Sequence, residues 1–192
     1  MRQHILATGE AIIAGKGFSA VGLAEILAAA KVPKGSFYHY FESKEQFGQA
    51  MLEAYFADYL VRLQALLSTP AGDARTRLMA YWERWAEVQG HEQDPRQCLV
   101  VKLSAEVSDL SEAMRGALRA GTTAVLEHLA GCLGAGVQDG SIPAGLDCHA
   151  TAHALYQLWL GASLLVKVHR SPAPFAVAMA TTRAWLGFQD PA

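Results

Sequence analysis

Apolar residues recur at helical spacing along nearly the whole chain, and no stretch of useful length alternates apolar and polar residues as a half-buried strand would. That property confines the chain to an all-α fold, and no internal repeat divides it into stacked units. With 52% hydrophobic residues among 192, the chain can bury a sizeable core. A disordered tail and a small disulfide-stapled scaffold are both excluded.

The helices can be placed from their apolar faces and their ends. Ile5, Gly9, Ile12 and Ile13 mark a first helix that Gly15 and Gly17 end before Phe18. Leu23, Ile26, Leu27 and Ala30 mark a short second one. After a break at Lys31-Val32-Pro33, a very short third helix spans about Lys34 to Tyr40. Ser43 and Gln46 form a capping box for a long fourth helix carrying Phe47, Met51, Tyr55, Tyr59 and Leu63, which ends near Ser68-Thr69-Pro70-Ala71-Gly72. An aromatic-rich helix follows from about Asp73 to Gln89. Asp94-Pro95-Arg96-Gln97 then starts a helix through Val107, and Asp109 with Glu112 opens the next. The stretch from Gly134-Ala135-Gly136 to Pro143-Ala144-Gly145 reads as a loop. Asp147 caps a helix to about Lys167, and Ser171-Pro172 starts a last one ending near Leu186.

Nothing at the N-terminus has the pattern of a secretory signal. The uncharged stretch Cys148 to Val166 carries His149, His153 and Gln157 at four-residue spacing, a polar stripe that suits an amphipathic helix better than a membrane span. Three cysteines cannot all pair within one chain, so at least one thiol stands outside any intrachain bridge, as in a reducing compartment. The expected location is the cytoplasm.

The net charge of −2 is unevenly spread, with +1 on residues 1–50 and −3 on the remainder, an asymmetry too small to identify a nucleic-acid partner. The third helix is more informative. A second helix, a tight turn and a two-turn third helix make a helix-turn-helix, whose last element enters the major groove of DNA. Lys34-Gly35-Ser36-Phe37-Tyr38-His39-Tyr40-Phe41 turns Phe37 and Phe41 inward and leaves Lys34, Ser36, Tyr38, His39 and Tyr40 more or less outward.

Gly17-Phe18, Leu23-Ala24-Glu25-Ile26-Leu27 and the run Pro33 to Glu45 together resemble the TetR family signature. The resemblance implies a homodimeric, all-helical transcriptional regulator, usually a repressor. Its N-terminal helix-turn-helix domain, residues 1–47, would bind a palindromic operator; the larger domain, residues 48–192, would sense an inducer and dimerise. By match to the motif, Lys34, Gly35, Ser36, Tyr38, His39 and Tyr40 approach DNA, and Lys44 at the start of its helix meets a phosphate. Gly22 stands where many members have threonine, so that position supplies no hydroxyl.

Cys98 lies four residues after the expected cap Asp94, within the first turns of a helix whose dipole favours a thiolate, between Arg96 and Lys102. It reads either as a reactive thiol or as an inert core residue. Gln97 to Ser111, and Tyr156 to Ala162 reaching Lys167, resemble the NemR-like branch of the family, which implies a response to electrophiles and oxidants through this cysteine. Lys167 would then lower the Cys98 pKa or snorkel at an interface. Cys132 and Cys148 read as packing or surface thiols. Cys148, His149 and His153 have metal-like spacing but no third ligand of defined position, so neither metal nor cofactor is expected.

A second reading keeps the repressor and places a flat apolar inducer among Tyr81, Trp82, Trp85 and Trp159, which could equally be core. A third, a cysteine-dependent enzyme, lacks a nucleophile elbow, a phosphate-binding loop and an assigned base. Ala154, Gly161 and Ala162, with Ala176, Ala178, Ala180 and Ala184, would let the last two helices of two copies pack closely.

Overall fold

The computed structural model describes residues 1–90 and 98–188, which form nine helices without a strand. They are α1 (Arg2–Lys16), α2 (Leu23–Ala30), α3 (Lys34–Tyr38), α4 (Lys44–Leu67), α5 (Ala74–Gly90), α6 (Leu99–Leu110), α7 (Glu112–Asp139), α8 (Cys148–His169) and α9 (Ala173–Trp185). No described helix is long and apolar enough to cross a membrane. Two compact units emerge: Met1–Tyr59 with Pro95–Thr122, and Leu60–Asp94 with Thr123–Ala192.

In the first unit, α1 to α4 enclose a core of Ile5, Ile13, Ile26, Phe37, Phe41, Phe47 and Met51, all essentially inaccessible to water. Phe37, Phe41 and Phe47 meet pairwise at ring-centroid distances of 5.1 to 5.7 Å, a geometry that adds to burial alone. Gly9 permits this packing, because a Cβ there would lie 2.4 Å from Cζ of Phe47. On α1 the fully buried face is Ile5, Leu6, Gly9 and Ile13; Ile12 is only half-buried.

Ser43 caps α4 as expected, its hydroxyl accepting from the Gln46 amide at 3.1 Å. Gln46 reaches back to the amide of Glu42 at 2.6 Å rather than to that of Ser43. Helix α3 is shorter than its apolar pattern suggests, since the Tyr40 amide bonds to the Phe37 carbonyl in a tighter turn. Helix α7 is opened not by Asp109, which stays inside α6, but by Ser111, whose hydroxyl accepts from the Met114 amide at 3.3 Å.

The second unit corrects a larger expectation. Gly134, Ala135 and Gly136 are helical and not loop: α7 continues to Asp139, and the turn comes at Gly140 with φ 77°. Ile142 folds back onto the helix, so that a Cβ at Gly136 would lie 2.5 Å from its Cδ1. That packing outweighs the roughly 1 kcal/mol helix penalty of a glycine. Asp147 caps α8 through the Ala150 amide at 2.9 Å, as its position predicts.

Candidate nucleic-acid interface and thiol site

The outward set on α3 is outward in the structure. Lys34, Gly35, Tyr38, His39 and Tyr40 are exposed and Ser36 is half-buried, while Phe37 and Phe41 hold the element down from below. Tyr38 is 50% exposed, much for a tyrosine, and the Lys34 ammonium lies 5.7 Å from its ring centroid. His39 and Tyr40 meet edge to face at 4.8 Å. The result is a short exposed element presenting one cation, a hydroxyl, an imidazole and two phenols, suited to phosphate oxygens and base edges. Gly22 is the N-cap of α2 in an extended conformation, and no side chain caps that helix.

Lys44 is engaged within the protein. Its ammonium donates to the Phe18 carbonyl at 2.7 Å and lies 4.4 Å from the centroid of the Phe18 ring. The same turn is held from α6. One oxygen of Glu106 accepts from the Phe18 amide at 3.0 Å and the other from the Ser19 amide at 2.5 Å. Partial burial pushes the Glu106 carboxyl up, but the Ser19 hydroxyl, the two amides and the Lys44 charge outweigh this and hold it below its ordinary value. Glu106 is therefore an anion at neutral pH.

Sequence reasoning passed over Glu106 as a functional residue. Lys102 and Glu106 are four residues apart on α6. Lys102 reaches the last turn of α1, donating to the Gly15 carbonyl at 3.0 Å, and Glu106 reaches the turn that follows it. The signal available in the sequence was Gly17, whose φ of 93° lets the next two amides converge on one carboxylate.

Cys98 is buried at 4% exposure and is the extended N-cap of α6 (φ −66°, ψ 116°), not a residue within its first turns; its carbonyl accepts from the Lys102 amide at 3.3 Å. The expected start at Asp94-Pro95-Arg96-Gln97, Arg96 included, lies outside the described residues. Lys167 is exposed in the last turn of α8, in the second unit. Cys132 is buried on α7, and burial pushes its thiol up against the lowering influence of Arg77.

Tyr81, Trp82, Trp85 and Trp159 are all buried and pack on one another. Trp85 donates to the Ser163 hydroxyl at 2.9 Å and Trp159 to the Thr182 hydroxyl at 3.0 Å. The indole N–H of Trp82 has no hydrogen-bond partner among the described residues. On α8 and α9, Leu164, Leu165, Val168 and Val177 are exposed together with Ala176, Ala180 and Ala184. Ala162 and Ala178, expected to face a second copy, are instead buried in the unit's own core.

Residues 5–51 match the family described as bacterial regulatory proteins, tetR family, and residues 74–182 match the tetracyclin repressor-like C-terminal domain. The HTH-type transcriptional repressor NemR of Escherichia coli (strain K12) is 45% identical over 93% of this chain and 90% of its own length. The repressor DhaR of Mycobacterium sp. (strain GP1) is 34% identical over 91% of this chain and 86% of its own. The crystal structure of the reduced form of E. coli NemR superposes with a TM-score of 0.92 at 43% identity, covering 99% of this chain and 98% of that one. The chain thus belongs to the TetR family of bacterial regulatory proteins.

Proposed function

We propose that the chain is a homodimeric cytoplasmic repressor that binds a palindromic operator and leaves it when an electrophile or oxidant modifies Cys98. The observation that carries this reading is the place of Cys98: it heads α6, in the same compact unit as the exposed recognition helix α3. A thiol ahead of a helix lies where unpaired amides and the dipole favour an anion. Residues 1–47 carry the DNA surface through Lys34, Gly35, Ser36, Tyr38, His39, Tyr40 and Lys44; residues 48–192 sense and pair, with Lys102 and Lys167 as candidate charges for the thiol. The exposed apolar faces of α8 and α9 suit a second copy of the chain.

Repression ends when modification favours a spacing of the two α3 helices that no longer fits two half-sites on one face of the duplex. About 3 kcal/mol of differential stabilisation lowers operator affinity roughly a hundredfold. Cys98→Ser is expected to stay on the operator during electrophile treatment; release of that variant defeats the reading. Consumption of electrophile stops at one equivalent per chain, as in a sensor; continued turnover would mark an enzyme.

The unpartnered Trp82 N–H favours a second reading, a non-covalent ligand held among Tyr81, Trp82, Trp85 and Trp159. Reversal of induction on dilution, with unchanged protein mass, would mark it.

A further inference from the structure

Lys102 and Glu106 are four residues apart on α6 and so about 40° apart around it, while Cys98 is its N-cap, with Glu106 roughly 12 Å further along the axis. Lys102 and Glu106 grip the end of α1 and the turn after it, Lys102 through the Gly15 carbonyl and Glu106 through the amides of Phe18 and Ser19. The Phe18 carbonyl is taken by Lys44 from the head of α4. Phe18 is thus fastened from both sides, its N–H to α6 and its C=O to α4, with its ring buried. A Cβ at Gly17 would lie 3.1 Å from the Glu106 carboxylate, so the turn and the carboxylate are in near contact.

We infer that Glu106 is the positioning residue through which α6 holds the α1–α2 turn, and with it the helix-turn-helix, in the DNA-binding arrangement. A helix transmits displacement as a stiff rod. A shift imposed at Cys98 therefore reaches the carboxylate two turns on and acts on two backbone amides at once. This inference rests on the reading of the chain as a Cys98-triggered repressor; the part concerning the unmodified protein can be judged without the trigger.

The test uses the full-length protein and a fluorescent duplex that the wild type selects from a random-sequence pool. Affinity is measured before and after N-ethylmaleimide, whose double bond takes the Cys98 sulfur on one carbon and the thiol proton on the other; adducts are mapped by mass spectrometry. Glu106→Ala is expected to weaken the unmodified protein about tenfold, the scale of a partly screened charged hydrogen bond, and to leave the modified protein within about twofold of modified wild type. Glu106→Gln, which keeps one acceptor oxygen, falls between, and serves alone if the alanine variant does not fold. Unchanged affinity in the unmodified protein, or equal weakening of both forms, overturns the inference. If modified wild type keeps its affinity, the Cys98 trigger fails by itself. Weaker binding by unmodified Glu106→Ala, with faster hydrogen exchange at the Phe18 and Ser19 amides, then still upholds the link.

Discussion

The indole planes of Trp82 and Trp159 lie 12° apart with centroids separated by 5.1 Å, joining α5 to α8 by a face-to-face stack inside the second unit. Phe175 of α9 also stacks on Trp159, at 5.7 Å and 25°. Trp159→Ala is expected to cost about 3–5 kcal/mol, the range for truncating a buried aromatic. Trp159→Phe should cost about 1–2 kcal/mol, because Thr182 keeps its bond to the Ala178 carbonyl. Urea unfolding followed by the remaining tryptophans separates the two.

Gly48 faces Phe18 and Met114 at close range, and a Cβ there would stand 2.4 Å from the Met114 sulfur and 2.7 Å from the Phe18 ring. Methionine can yield; the ring, held under Lys44, cannot. Gly48→Ala is expected to destabilise by about 1–3 kcal/mol, visible as a lower thermal midpoint.

Gly22→Thr should act in the opposite direction. Gly22 already has the extended N-cap backbone of α2, and nothing lies within 4 Å of an added Cβ. A threonine hydroxyl can accept from the first-turn amides, a gain of about 0.3 kcal/mol over glycine. The same hydroxyl would stand where family resemblance places a phosphate contact. Thermal melting and operator titration are both expected to rise slightly.

Of the two buried thiols, Cys98 at the head of α6 is expected to react before Cys132; Cys148, half-buried at the start of α8, is the competitor to be checked. Cys132 is buried and its thiol is pushed up, so little thiolate is present at neutral pH. Peptide mapping after one equivalent of maleimide should find the adduct on Cys98; an adduct chiefly on Cys132 or Cys148 would contradict the assignment.

The grip of Glu106 on the turn should weaken in acid. Its carboxyl is held below the ordinary 4.5 in the folded chain, so the stabilisation it provides is complete above 4.5 and is lost as pH falls through the lower folded value. Amide shifts of Phe18 and Ser19 are expected to report a transition in that range. In Glu106→Gln the transition should vanish.

Much of the architecture was legible because local chemistry agreed with the final packing. Asp147 and Ser43 cap the helices their positions announce, and Phe37 and Phe41 lie under an exposed Tyr38. Where the reading failed, distant partners overrode local preference. Gly134 and Gly136 read as a loop until Ile142 packs on α7, and Asp109 read as a cap until Ser111 takes that bond. The candidate site divides in the same way. The α3 surface follows from four-residue spacing, whereas the bonds from Glu106 to the Phe18 and Ser19 amides span 88 and 87 residues and leave no periodic trace.

The attachment of Lys44 to Phe18 bears on the DNA contact proposed for it. A lysine that must be ordered by a phosphate surrenders up to about 1.5–2 kcal/mol of rotamer freedom at the moment of association. Lys44 has surrendered it during folding, with one donor spent on the Phe18 carbonyl and the others still available. In the phosphate-contact role proposed above, its charge would meet the duplex already in register, the ordering cost having been carried by folding and not by association.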